Sequence, residues 1–391
     1  MGTVRADTNW TLVLLLWVAG LGSAAQYAKV SVVFDRLGGL YPDAGPSLGW
    51  AVSLVGGVGI VLGVTAGVVV ARITFRRALL FGLWLGAAVS VFQATGPVFE
   101  MFLISRVLEG VSHLAIVVAA PTLIASLSAP KDQGLALTLW GSFFGVAFAL
   151  LVWFGLPFAD IFGVSALFGA HGLYMAVFAV LLTVLLPREK PQGAVLLTPR
   201  EVVFRHVRIY RSPWLGAPGA GWLFYTFCFV SFLTLIPPYL DPSQKAMVLA
   251  AVPLVSIAAS LTLGVWMLRF VSAVSVVQIG FVCASLLAFS LAALQGNAVL
   301  CLALAAALGL VQGASFAAVP QLNETPENRA LANGAMAQTG NIGNTLGTPV
   351  LFFVSSSLGY SAMLIGLAIA LACGATVHLF LALRRNRSSK H

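Results

Sequence analysis

Within the stretch SRVLEGVSHL, Ser105 to Leu114, stand an arginine, a glutamate and a histidine: Arg106, Glu109 and His113. The positions are i, i+3 and i+7, so on a helix the three share one face. A guanidinium one turn from a carboxylate can do two things. It can form a static ion pair that braces neighbouring helices, or it can exchange that carboxylate for an incoming one. In the second case, protonating Glu109 frees Arg106 for an anion, and proton and anion become coupled through one side chain. His113 can pack through a hydrogen bond or carry a proton. Glu109 and His113 at i, i+4 could also share a metal, but no third ligand is evident.

The segment that carries these groups is otherwise apolar, and so is the chain. Of 391 residues, 60% are hydrophobic and 8% are charged. A soluble globular protein carries about 25% charged residues, so this composition excludes one and points to a polytopic membrane protein. Twelve candidate spans follow from the apolar runs: 11–34, 48–70, 78–95, 98–127, 134–158, 162–186, 214–239, 246–268, 272–294, 297–319, 330–357 and 360–383. The first run continues from Thr11 to Phe34 with Arg5 as the only early base. That is longer than the apolar core of a secretory signal, and it reads as an uncleaved first membrane helix. An all-α membrane protein is expected, with twelve transmembrane helices in two six-helix pseudo-symmetric bundles, 1–186 and 214–391, joined by a linker at 187–213.

The net charge of +9 does not imply a nucleic-acid partner, because the bases are placed asymmetrically. With the N-terminus inside, all but four of the 21 lysines and arginines fall on the cytoplasmic side; the exceptions are Lys29, Arg36, Arg106 and Lys245. This is the positive-inside distribution. It predicts a multi-pass plasma-membrane protein (an inner-membrane one in a bacterium) with both termini cytoplasmic. Within the linker, Thr198, Pro199 and Glu201 have the spacing of a capping box. Val203, Val207 and Tyr210 alternate with Arg205, Arg208 and Arg211. The segment reads either as a short basic helix on the inner leaflet or as a solvated linker. Cys228, Cys283, Cys301 and Cys373 fall singly in separate spans, as packing residues do.

The two halves echo each other. Gly67-Val-Val-Val-Ala71-Arg72 closes the second span, and Gly264-Val-Trp-Met-Leu268-Arg269 closes the eighth. Leu108 to His113 in the fourth span aligns with Val311 to Phe316 in the tenth. Weakly similar six-helix halves are a feature of repeat-built transporters. The sequence resembles the major facilitator superfamily of secondary transporters over essentially its whole length. The family signature G-x-x-x-D-R-x-G-R-R stands here from Gly67 to Arg77 with Ala71 in place of the aspartate. The fourth-helix pattern R-x-x-x-G matches Arg106 and Gly110. The fifth-helix Gly-Pro pattern of antiporters is missing, since Gly141 and Gly145 have no following proline until Pro157.

The resemblance implies that helices one, four, seven and ten line a central cavity. Counting ~1.5 Å per residue, Arg106 lies ~12 Å from the outer surface and Lys29, on helix one, ~8 Å. The two then share the outer half of the cavity, unless Lys29 snorkels to the interface. Gln26 and Tyr27 complete a candidate anion pocket. The opposite half offers only neutral groups, Trp222 and Tyr225 on helix seven and Gln312 and Phe316 on helix ten. Candidate substrate-binding residues are therefore Arg106, Lys29, Tyr27, Gln26, Trp222, Tyr225, Gln312 and Phe316, with Glu109 and His113 for proton coupling. The expected activity is proton-coupled symport of a small carboxylate-like organic anion by a monomer in membrane lipid. The alternatives are a proton antiporter exporting drugs or metabolites, and a non-transporting sensor. No cofactor is implied. With no HExxH and no intramembrane aspartate pair, an enzyme is not expected.

Overall fold

The computed structural model describes residues 7–62, 73–188 and 198–388. The signature from Gly67 to Arg72, Ala71 included, and residues 189–197 of the linker lie outside the described residues. The chain is almost wholly helical, and the described residues hold no strand. In order come α1 (Trp10–Val32), α2 (Phe34–Leu40), α3 (Pro42–Leu62), α4 (Phe75–Ala94), α5 (Phe99–Leu127), α6 (Gln133–Gly141), α7 (Phe143–Phe162) and α8 (Val164–Leu185). They are followed by α9 (Pro199–Arg211), α10 (Gly216–Leu235), α11 (Pro242–Met267), α12 (Ala273–Ala293), α13 (Ala298–Leu322), α14 (Pro326–Leu358) and α15 (Tyr360–Ser388).

Eleven described helices are long and apolar enough to cross a membrane. The twelfth traverse is α14, 33 residues long, whose run of Asn, Gln, Thr and Gly lowers its hydropathy without shortening it. An all-α, twelve-helix membrane protein is therefore the fold. Helix ends are set by local chemistry. Asn9, Ser272, Asn297 and Thr325 accept backbone N–H bonds at the starts of α1, α12, α13 and α14, satisfying donors that the first turn leaves unpaired. The capping box of Thr198 and Glu201 is formed at the start of α9. Gly163 and Gly359, at φ 90° and 88°, separate α7 from α8 and α14 from α15. At the far end of α8, Arg76 donates to the carbonyls of Thr183, at 2.6 Å, and Leu186, at 3.1 Å. A base there satisfies carbonyls and complements the helix dipole.

The described helices form two compact units. The first holds α1, α2 and α4 to α8, and the second holds α3 and α9 to α15. The sequence division at 187–213 puts α3 in the first bundle, whereas its packing puts it with the second unit. Glycine is the physical reason. A Cβ at Gly49 would stand 2.7 Å from the Pro349 Cα on α14, and Gly59 leaves room for the Asn341 side chain. Two helices with small residues on facing stripes approach backbone to backbone, which favours association in lipid.

In the first unit, Leu16 of α1, Leu79 and Leu83 of α4, Ile116 and Ile124 of α5 and Leu182 of α8 form the core. In the second, α10 and α14 pack through Gly340, Gly343 and Gly347. A Cβ at Gly343 would stand 2.7 Å from the Phe227 backbone nitrogen. Gly343→Val should therefore cost about 1–3 kcal/mol by overpacking. Gly334→Ala on the same helix, where nothing lies within 4 Å, should stay within about 1 kcal/mol of the parent. Thermal melts of the two purified variants measure the contrast.

Candidate functional site

The charged stripe of α5 points into the middle of the first unit. The side chains of Arg106, Glu109 and Lys29 are all fully buried. The Glu109 carboxylate is shared. Its Oε1 lies 2.6 Å from Lys29 Nζ on α1, and its Oε2 accepts from Arg106 Nη1. Lys29 therefore does not snorkel to the interface, one of the two readings open from sequence. The ion pair wins because a carboxylate stands within reach of a fully buried ammonium.

A buried ammonium must place all of its N–H bonds. Lys29 Nζ donates to Ser90 Oγ at 2.7 Å and to Gln93 Oε1 at 2.8 Å, besides Glu109. The Gln93 amide is oriented by its partners. Its oxygen faces a group that can only donate, and its Nε2 donates to Glu109 Oε2 at 2.9 Å and Ser105 Oγ at 3.0 Å. Arg106 Nη2 donates to the Gln26 backbone carbonyl at 2.7 Å. The cluster thus ties α1, α4 and α5 together.

His171 on α8 joins from the fourth side. Its Nε2 lies 2.9 Å from the Gly22 carbonyl, which can only accept, so Nε2 carries the proton. In the neutral ring Nδ1 is then an acceptor. It takes the Ser90 hydroxyl at 2.7 Å and lies 3.3 Å from Lys29 Nζ. A hydrogen-bonded path runs from Lys29 through Ser90 and His171 to Gly22.

His113 is one turn beyond Glu109 and belongs to a different contact. Its Nδ1 lies 3.1 Å from the Ser23 carbonyl and 2.9 Å from the Ser23 hydroxyl, and its ring meets Tyr27 edge-on at 5.2 Å. Gln26 Nε2 donates to Ser112 at 2.7 Å. Gln26 Oε1 and the Tyr27 hydroxyl are buried without a hydrogen-bond partner among the described residues. Both are the kind of group a bound polar ligand would satisfy.

The second unit brings together three of its four candidates. Trp222 stacks on Tyr225 at 4.6 Å and meets Phe316 edge-on at 4.9 Å, and Tyr225 stacks on Phe229 at 5.3 Å. Gln312 stands half-buried one turn before Phe316 on α13. No lysine, arginine, aspartate or glutamate occurs in α10 or α13, so this cluster is aromatic and neutral.

Sequence reasoning missed Ser90, Gln93, Ser105, Ser112 and His171. The available signal was polarity out of place. Ser90 and Gln93 stand at i, i+3 on α4, and His171 is a lone imidazole in α8. Gly45-Pro-Ser-Leu-Gly49 has the GxSxG spacing of a nucleophile turn, which requires a strand-to-helix corner. Here it occupies a 3-10 turn, Pro42–Leu48, that opens α3.

Charges buried among packed helices and paired across them are the kind of group that marks an ion or substrate pathway in a membrane protein. The family model described as "Major Facilitator Superfamily" matches residues 12–322, and the chain belongs to that family of transporters. A crystal structure of a bacterial homolog to the human lysosomal transporter Spinster, inward-facing and unoccupied, is similar in fold. Its TM-score is 0.74 at 16% identity, covering 95% of this chain and 96% of that one. The human organic anion transporter MFSD10 (TETRAN) gives a TM-score of 0.66 at 16% identity, over 94% of this chain and 99% of that one. A search of curated proteins finds no match.

The shared carboxylate makes a sharp stability prediction. Glu109→Gln leaves two buried cations without their counter-ion and should cost about 3–5 kcal/mol. Lys29→Met leaves the Arg106–Glu109 pair intact and should cost less. Thermal melts in detergent test this, and equal melts for the two variants would show that the charges are hydrated instead.

Proposed function

We propose that this chain moves a small carboxylate-like organic anion across the membrane by alternating access, driven by protons. The observation that carries the reading is the sharing of Glu109 between Lys29 and Arg106. With all three ionised, the cluster holds one more positive than negative charge. When Glu109 takes a proton, both cations need a new counter-ion, and a substrate carboxylate supplies it. Arg106 would hold that group through paired N–H bonds. The unpartnered Tyr27 hydroxyl and Gln26 side-chain oxygen supply a donor and an acceptor for the rest of the substrate. Trp222, Tyr225, Gln312 and Phe316 are the candidates to contact its apolar part. His113 is a packing residue beside this exchange, and Glu109 is the proton carrier. That MFSD10 is an organic anion transporter favours the same substrate class.

Three measurements bear on this. Arg106→Gln should abolish the thermal stabilisation that a panel of small carboxylates gives the parent. Unchanged stabilisation would leave the Arg106–Glu109 pair as a static brace. Glu109→Gln should keep substrate exchange between liposome compartments and lose uphill accumulation driven by an imposed pH gradient. It should also gain more thermal stabilisation from added carboxylate than the parent does, because the anion replaces the missing charge. Wild-type dependence of accumulation on the gradient would move the proton carrier elsewhere.

We further propose that the protein resides in the plasma membrane with both termini and α9 on the cytoplasmic side, as the distribution of bases indicates. In intact cells, an impermeant thiol reagent should label a cysteine at Asp43 and leave one at Glu201 unlabelled. The reverse pattern would invert the topology.

A further inference from the structure

The transport site leaves α9 unused, and α9 has an exposed face of unusual composition. Arg200, Val203, Phe204, Val207 and Arg211 stand at i, i+3, i+4, i+7 and i+11, so they form one stripe along the helix. Val203 is 63% exposed and Phe204 68%. Arg200, Val203, Phe204 and Val207 line one shallow depression. Apolar side chains of this size do not face water for nothing.

The opposite face of the helix is already committed. Ile209 is buried. Tyr210 donates its hydroxyl to Gln338 Oε1 on α14 at 2.7 Å. Gln338 Nε2 in turn donates to the Ile60 carbonyl of α3 and to His206 Nε2, each at 3.1 Å. These contacts prevent α9 from rolling to bury its apolar stripe.

Its height is fixed as well. Only Ser212 to Leu215 separate α9 from the membrane-crossing α10. Within that joint, the Pro213 carbonyl accepts from Arg385 Nη1 at 2.7 Å. Arg385 lies in the last turn of α15. The neighbouring Trp214 is 37% exposed, and tryptophan is enriched at the headgroup level. The stripe of α9 is therefore held level with the adjoining ends of α10 and α15.

We propose that this face of α9 is a docking surface for anionic phospholipid of the leaflet at that end of the bundle. Phe204, with Val203 and Val207, enters the acyl boundary. Arg200 and Arg211, one turn from either end of that apolar patch, take the phosphate oxygens. Basic residues around an apolar stripe are drawn to anionic membranes by both terms at once. This surface is independent of the substrate site, and neither reading falls with the other.

The test uses the full chain with Cys228, Cys283, Cys301 and Cys373 replaced by alanine and a nitroxide attached at Phe204→Cys. The protein is reconstituted in bilayers of phosphatidylcholine alone or with added phosphatidylglycerol. Collision of the label with oxygen, which partitions into lipid, is compared with collision with a water-soluble nickel chelate. The expected result is a high oxygen-to-nickel ratio that rises further with phosphatidylglycerol. Arg200→Gln with Arg211→Gln should lose that rise while keeping the parent's thermal melt. Three outcomes overturn the proposal. They are nickel collisions dominating in both bilayers, both collision rates being low because protein covers the label, and equal ratios in the two bilayers.

Discussion

The first unit is organised around one carboxylate. An ion buried among packed helices has lost its water and must be balanced by charge and hydrogen bonds, at a cost that grows steeply when either is missing. Glu109 receives Lys29 on one oxygen and Arg106 on the other, and the rest of the cluster follows from those two cations. Ser90 and Gln93 are on the inner face of α4 because Lys29 has N–H bonds left to place. His171 faces inward from α8 because Ser90 and the Gly22 carbonyl hold its two nitrogens. Four helices thereby converge on one charge, and any change in its ionisation reaches all of them.

Among the described residues, the buried ion pairs all lie in the first unit. In the second unit, helices α10 and α14 meet through glycines at van der Waals contact, and α3 joins α14 in the same way. Close backbone approach needs no buried charge. Polarity in α14 is used at particular depths. Gln338 ties α3 and α9 to it through three hydrogen bonds. Trp222, Tyr225, Phe229 and Phe316 form a neutral aromatic group. One unit is specialised for charge and the other for shape.

The bases at the helix ends serve two purposes. Their distribution along the sequence is asymmetric, and their side chains also complete helix ends. Arg76 holds the last carbonyls of α8, Arg329 donates to the Asn323 carbonyl beyond α13 at 2.9 Å, and Arg385 holds Pro213. The last turn of a helix leaves carbonyls without an intrahelical partner, and a guanidinium beside them is well placed to satisfy them.

Most of the architecture was legible in the sequence because lipid imposes simple rules. A span must be about 20 residues long and apolar, and its flanking bases are asymmetric. The stripe of Arg106, Glu109 and His113 was legible too, since helical periodicity places those residues on one face. Partner choice was not. Lys29 could reach the outer interface or Glu109, and only the packing of α1 against α5 settled that it pairs. Periodicity could not separate His113 from Glu109, yet tertiary contacts send one to Ser23 and the other to Lys29 and Arg106. Ser90, Gln93 and His171 were invisible for the same reason: a single polar residue in an apolar helix says that it needs a partner, but not which one. The attachment of α3 to the second unit was also hidden, because chain order carries no information about which glycine face a helix will meet. Sequence determines what can cross a membrane and which groups cannot face lipid; the tertiary structure decides what those groups face instead.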